Sequence, residues 1–398
     1  MKKQLLSTAV STALLMMAHS AYATNGDQMI AMSAAQTAMG GATVAQAQDA
    51  LTILVNPAGM ADLGMKDVRM DLGFGLLNPP RKVNGNDSES DWYLMPSGGA
   101  AFNVNDRLFL GMALGGVAGM GVNVPDINGL GAGTLPVVTT KQAFRLSPAA
   151  AYKVNDALTL GGSLNIVNQS MAMSVFNATP GINAQFDLPQ NQQFGFGATL
   201  GATYKINPKL QAGLSWTSKT DVSDMEYNTP EGKISFNMDQ PASLALGLAF
   251  KPMPGLLVEA DIKRIFFSDV LGQIAVNRPA GYTGAVPASF NFGWDDQTVY
   301  AIGVKKDMGP MAVSVGYNYG KSPIGAEDVN ANLGSTAIVE HHLSFGLTRK
   351  FSDKVSGSFA YTRAFNNKLV SSVGRPGGGF NTIEIEQNQY NMNISYKF

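Results

Sequence analysis

The chain of 398 residues contains no cysteine, so neither a disulfide framework nor thiol chemistry is available to it. Charge is scarce as well: Asp, Glu, Lys and Arg make up 14% of the residues, well below the quarter or so that a soluble globular domain carries. No basic excess offers an electrostatic footprint for nucleic acid. After residue 23 no apolar run approaches the roughly 20 residues that a membrane-spanning helix needs. Histidine is nearly missing too. Beyond the amino-terminal segment only His341 and His342 occur, adjacent and therefore on opposite faces of a strand, so no metal set forms around them. Gly316 to Ser322 is one residue short of a phosphate loop and lies in a strand pattern. A serine such as Ser344 beside one histidine is the only nucleophilic arrangement on offer, and the chain reads as a non-enzyme without cofactor or metal.

The amino end supplies an address. Met1-Lys2-Lys3 is a positive start, Leu5 to Met17 is mostly apolar and uncharged, and Ala21-Tyr22-Ala23 places small residues where a signal peptidase reads. The run is too short to cross about 30 Å of hydrocarbon as a helix. Residues 1–23 therefore read as a cleaved signal, the mature chain starting near Thr24 with 26 basic residues against 29 acidic.

Residues 24–65 do not alternate. Met29, Met32, Ala35 and Met39 have roughly helical spacing, Gly40-Gly41 interrupts them, and Asn56-Pro57-Ala58-Gly59 is a turn-forming end. From residue 66 the period becomes two. Val68, Met70, Leu72, Phe74 and Leu76 alternate with Asp67, Arg69, Asp71, Gly73 and Gly75, and the pattern recurs in segments such as Leu108–Leu114, Leu210–Trp216, Leu244–Phe250, Met311–Tyr319 and Tyr390–Phe398. The set opposite each apolar stripe is rich in Gly, Ser, Asn and charge, as a wet or plugged lumen requires.

The connections decide the architecture. Short links at Asn105-Asp106, Asn155-Asp156, Asn207-Pro208, Met253-Pro254, Met308-Gly309 and Ser352-Asp353 alternate with long ones near 77–90, 120–138, 175–192, 221–240, 269–291, 323–335 and 368–385. Six short and seven long links predict fourteen antiparallel strands of about 11 to 18 residues, closed into a transmembrane barrel with short turns in the periplasm and long loops outside the cell. Fourteen strands tilted by ~40° enclose a backbone cylinder about 28 Å across, too wide for side chains alone to fill. Residues 24–65 are the available plug, entering from the periplasmic side where both chain ends would lie, and residues 66–398 form the barrel.

Several short motifs recur in an ordered series: Met39-Gly40-Gly41-Ala42, then Ala47, Asp49 and Asn56-Pro57-Ala58, followed by strand-turn pieces such as Ser147 to Asp156 and Gly213 to Thr220. In these the mature chain resembles the FadL/TodX family of outer-membrane transporters for long-chain fatty acids and other hydrophobic compounds. The resemblance implies a fourteen-stranded barrel with an amino-terminal hatch, an outer groove, an inner pocket, and lateral release through a gap at an inward kink of the third strand. Its partners would be hydrophobic small molecules, membrane lipid and the barrel assembly machinery, with the protein acting as a monomer.

Candidate residues follow. Gly40, Gly41, Asn56, Pro57 and Ala58 form the hatch motif, and Gly115-Gly116 interrupt the third strand where the family has its kink. Arg69, Lys141, Arg145 and Lys263 are candidates for a carboxylate head group. Glu259, Asp261 and Lys263 share one strand face, either as a self-paired polar wall or to orient a ligand carboxylate. A general diffusion porin and a structural or adhesive barrel are the rivals; the first wants a charged constriction without a plug, the second polar repeats in its loops. The loops here carry apolar pieces, Val122 to Val137 and Leu271 to Phe290, suited to an outer groove.

Overall fold

The computed structural model describes residues 24–127, 135–177, 184–374 and 378–398. The signal segment and the centres of the links expected at 120–138, 175–192 and 368–385 lie outside the described residues.

Fourteen strands form one closed antiparallel barrel: β1 (Val68–Asn78), β2 (Tyr93–Asn103), β3 (Leu108–Ile127), β4 (Leu135–Lys153), β5 (Leu158–Asn177), β6 (Ala184–Asn207), β7 (Leu210–Thr217), β8 (Ser243–Phe250), β9 (Leu256–Ile265), β10 (Gln297–Met308), β11 (Met311–Gly320), β12 (His341–Lys350), β13 (Val355–Val370) and β14 (Thr382–Lys397). Each pairs with its successor, and β14 closes on β1 from Asn388 opposite Asn78 to Lys397 opposite Arg69. Closure leaves no free sheet edge to lipid, the condition for strands to span a membrane. Among the described residues no helix is long and apolar enough to cross one.

Alternation sets the two faces as the sequence implies. On β1, Leu72 is 58% exposed and Asp71 fully buried, so the apolar stripe points outward and the polar one into the lumen. All six short links appear as tight turns. The strands, however, run from 8 residues in β7 to 24 in β6, a wider spread than the 11 to 18 expected. β3, β4 and β5 have 20, 19 and 20 residues and occupy much of what the sequence suggested as links 120–138 and 175–192. A tilted strand of 20 residues covers about 50 Å, twice the height of the lipid-facing band. Their outer halves therefore stand clear of lipid, where no apolar outward stripe is demanded and the alternation that marks a strand fades.

At this long-link end a second small sheet, Met225–Thr229, Gly232–Phe236, Gln273–Asn277 and Ser289–Asn291, packs with Phe267 and Trp294 into an apolar cap. Tyr227 stacks on Phe236, and Phe236 meets Phe290 edge-on at 5.2 Å.

Residues 24–65 fill the lumen. The helical spacing of Met29, Met32 and Met39 yields only one α-helical turn, Ala34–Thr37, capped by the Ser33 side chain accepting from Gln36 N at 3.2 Å. Gly40 and Gly41, at φ +65° and +82°, end it. Two short 3-10 turns follow, Ala50–Leu54 and Pro57–Asp62. The direction of the segment differs from expectation. Thr24 lies beside Arg81, Gly121 and Gln387 towards the long-link end, and the chain descends to join β1 at the short-turn rim, where Phe398 N donates to Val68 O. Asp27 is held there by Lys141 at 2.7 Å.

Candidate functional site

The site is built by wall side chains that bond to the main chain of the plug. On β9, Asp261 Oδ2 accepts from Thr43 N at 2.7 Å and Val44 N at 3.0 Å, and Glu259 Oε1 accepts from Ala45 N at 2.7 Å and Gln46 N at 2.9 Å. On β1, Asp71 accepts from Ala50 N at 2.8 Å. Gln211 donates to Ala45 O at 2.6 Å and Asn318 to Gly40 O at 3.1 Å. A plug with little secondary structure of its own has many free N–H and C=O groups, and burying them is tolerable only with such partners. Glu259, Asp261 and Lys263 are thus no self-paired wall: the two carboxylates grip the plug, and Lys263 takes part in no ion pair among the described residues.

The hatch motif sits at the tightest contacts. Asn56 is buried and caps the turn through Ala58 N at 3.2 Å, while its Nδ2 donates to Val44 O at 2.7 Å and to Ala202 O on β6 at 3.1 Å. Pro57 occupies the first position of that turn, where its missing N–H costs nothing. Gly40 approaches β11 so closely that a Cβ on Gly316 would lie 2.0 Å from Gly40 N.

Among the described residues, two spaces lie in the lumen and above it on the long-link side. An inner cavity of about 110 Å³ lies between Met29, Met32 and Leu54 of the plug and Val117, Arg145 and Lys263 of the wall. Towards the long-link end, a groove of about 490 Å³ is lined by Met120, Met171, Met173, Phe176, Phe186 and Phe290. Methionine and aromatic side chains make an apolar surface that adapts to ligand shape.

The four basic candidates are separated. Arg145 and Lys263 line the inner cavity. Arg145 donates to Leu54 O, its Nε has no partner, and neither cation has a carboxylate within ion-pair distance among the described residues. Arg69 pairs with Asp71 at 2.8 Å and holds Gln48 O, near the short-turn rim. Lys141 is buried against Asp27 at 2.7 Å, its stem lining the groove. Asp27 and Arg81 carry weight that the sequence reading missed; each finds its partner only through the closed barrel or a folded link.

The wall itself is incomplete beside the cavity. β2 and β3 pair from Asn103 opposite Phe109 only as far as Ser97 opposite Gly115. The β3–β4 register then shifts between Gly116 and Ala118, and Ala118 pairs inward with Gln28 of the plug. Gly119 N donates to Asp27 O at 2.9 Å. A Cβ on Gly115 would sit 3.2 Å from Leu54 Cδ1, so the bend begins where plug and wall are close. At the glycine pair β3 thus exchanges its ladder with β2 for contacts with the plug.

His341 is exposed on the outer face, accepting or donating at 2.6 Å with Tyr317 Oη, whereas His342 is buried in the lumen. Ser344 bonds Thr362 at 2.7 Å and has no histidine partner among the described residues. No group of three metal-binding side chains occurs among them either.

A closed barrel with an apolar outer face, filled by its own amino-terminal segment and keeping a groove and a cavity, is an outer-membrane transport barrel in form. The chain belongs to the outer membrane protein transport protein family (OMPP1/FadL/TodX), whose model matches residues 14–397. Among solved structures it is similar to the Pseudomonas putida toluene transporter TodX, at 20% identity over 94% of this chain and 100% of that one, TM-score 0.75. It is similar to the Ralstonia pickettii toluene transporter TbuX, at 19% identity over 94% and 99%, and to a Pseudomonas aeruginosa FadL homologue, at 15% over 94% and 100%, both with TM-score 0.75. These likenesses establish the fold. No curated protein sequence matches the chain.

Proposed function

We propose that the chain admits hydrophobic compounds bearing an acidic head group, long-chain fatty acids foremost, from the cell exterior and releases them sideways into the outer membrane without an energy source. The observation that carries this reading is the end of the β2–β3 ladder at Gly115, beside a cavity lined by Val117. An acyl chain loses roughly 0.8 kcal/mol for each CH₂ returned to water, so a route from cavity to lipid is favoured over one through the plug into the periplasm. Arg145 and Lys263, without carboxylate partners, supply the preference for an acid. In this reading the long links face outside, residues 1–23 are removed on export, the barrel assembly machinery inserts the chain, and a monomer suffices.

A monoaromatic substrate is the second reading, favoured by the size of the cavity. Its 110 Å³ is below the ~150 Å³ of a cavity known to hold benzene, so a single ring needs less rearrangement than an extended acyl chain. Uptake of a labelled fatty acid and of toluene by cells lacking other transporters of this kind separates the two. Arg145→Met with Lys263→Met should cut fatty-acid uptake about tenfold, the worth of one charge-assisted hydrogen bond, and leave toluene uptake unchanged. Equal loss of both, or of neither, would reject the acid preference.

A further inference from the structure

Above Gly115 the two strands flanking the gap both continue, β2 back to Tyr93 and β3 on to Ile127. In continued register Met95 would face Val117; instead each belongs to a separate apolar cluster, and Met32 of the plug packs against both clusters. On this side β2 has no partner strand from Tyr93 to Pro96, while β3 from Gly116 to Met120, about 16 Å of chain, meets the plug at Ala118 and Gly119. Strand edges left unpaired tend to zip together, so the inward course of β3 needs an anchor on the wall side as well as on the plug.

One side chain is placed to be that anchor. Arg81 comes from the short strand Arg81–Val83, which pairs with β14 through Ile385, and only 2% of it is exposed. Its Nη1 donates to Gly121 O on β3, and its Nη2 donates to Ser90 O and to the Tyr93 hydroxyl at the start of β2. The guanidinium also lies over the Tyr93 ring, 5.4 Å from its centroid. Gly121 cannot be replaced cheaply, since a Cβ there would lie 2.3 Å from Thr139 O. Just beyond, Glu89 N donates to Asn123 O at 2.7 Å and Asn123 N to Ser88 Oγ at 3.0 Å, so the β1–β2 link closes the gap from above. Among the described residues Arg81 has no carboxylate within ion-pair distance, and its Nε has no partner. A buried cation of this kind is retained for the geometry it imposes, since burial without a counter-charge is costly.

We propose that Arg81 is the positioning residue of the wall opening, its forked guanidinium replacing the missing β2–β3 ladder and holding β3 away from β2. This rests on the lateral-exit reading. A planar fork reaches both strands at once, whereas a lysine ammonium offers a single point charge.

The test uses the full-length protein, whose lack of cysteine makes an introduced pair unambiguous. Met95→Cys with Val117→Cys reports zipping of the gap by disulfide formation under mild oxidant in purified, folded protein. Adding Arg81→Met should raise the rate of that disulfide about tenfold, the factor for one lost charge-assisted hydrogen bond. In cells, without the cysteines, Arg81→Met should lose ligand uptake at equal surface abundance, and Arg81→Lys should fall between it and the parent. Should Arg81→Met fail to assemble, Arg81→Lys decides on the same two readouts. An unchanged disulfide rate with unchanged uptake, while Gly116→Val abolishes uptake, overturns the role of Arg81 and leaves lateral exit standing. Retained uptake in Gly116→Val as well overturns the exit reading and the proposal with it.

Discussion

Asp261 and Glu259 show how single residues make a plug out of a segment that has almost no secondary structure. A carboxyl oxygen that accepts from two backbone N–H groups satisfies both at once, and here four consecutive plug residues are held by two such oxygens. Glycine does the opposite work by staying out of the way. Gly316→Ala would put a methyl 2.0 Å from Gly40 N, overpacking that costs about 1–3 kcal/mol, and the plug is the softer partner. The expected outcome is normal assembly with a loosened plug, read as larger ion-conductance steps in planar bilayers; parent-like conductance would mean that the contact yields without consequence. At this scale the sequence was partly legible. The inward direction of Arg69, Glu259, Asp261 and Lys263 followed from a period of two, and the pairing of Arg69 with Asp71 is a same-face neighbour relation. Partners 114 or more residues away, as Asp27 for Lys141 or Asp261 for Thr43, depend on closure and left no local signal.

Among the elements, the strands that meet lipid were the legible ones. β1, β8 and β11 must present an apolar stripe outward and a polar one inward, and that double demand writes itself into alternate residues. β3 was read correctly to Leu114 and lost beyond it, because the outer stretch from Gly115 pairs with β4 and the plug while facing no lipid on one side. The last strand carries its own prediction. Tyr396 near the end of β14 and Phe398 just after it point outward, 4.4 Å apart between ring centres, at the rim where the sheet closes. Phe398 N also donates to Val68 O at 2.9 Å, a bond across the seam between the first and last strands. Deleting Phe398 should lower the yield of folded, heat-modifiable protein in the outer membrane while signal cleavage proceeds. Unchanged assembly kinetics would reduce the residue to an interface anchor.

For the whole molecule, the barrel is a cylinder whose content is decided by residues 24–65, and the proposed exit lies where the β2–β3 ladder ends. The long-link end carries the groove and the aromatic cap, and the short-turn end carries the joint between plug and wall. The orientation follows the rule that short turns face the periplasm. A cysteine at Gly284, in the β9–β10 link, should therefore react with an impermeant maleimide on intact cells, and one at Asn155, in the β4–β5 turn, should react only after the outer membrane is opened. The reverse pattern would invert the molecule and with it the direction of transport.

Lateral exit at the glycine pair is the central claim, and a matched pair of substitutions tests it most directly. Gly116→Val adds a branched side chain where β3 bends, favouring regular pairing with β2, whereas Gly162→Val adds the same side chain on β5, where the nearest atom to a new Cβ, Leu200 Cδ2, is an ordinary 3.5 Å away. Initial uptake of a labelled long-chain fatty acid is measured at equal surface abundance in cells without another transporter of this kind. The account predicts that Gly116→Val assembles and loses uptake while Gly162→Val keeps most of it; equal uptake by the two variants would contradict it.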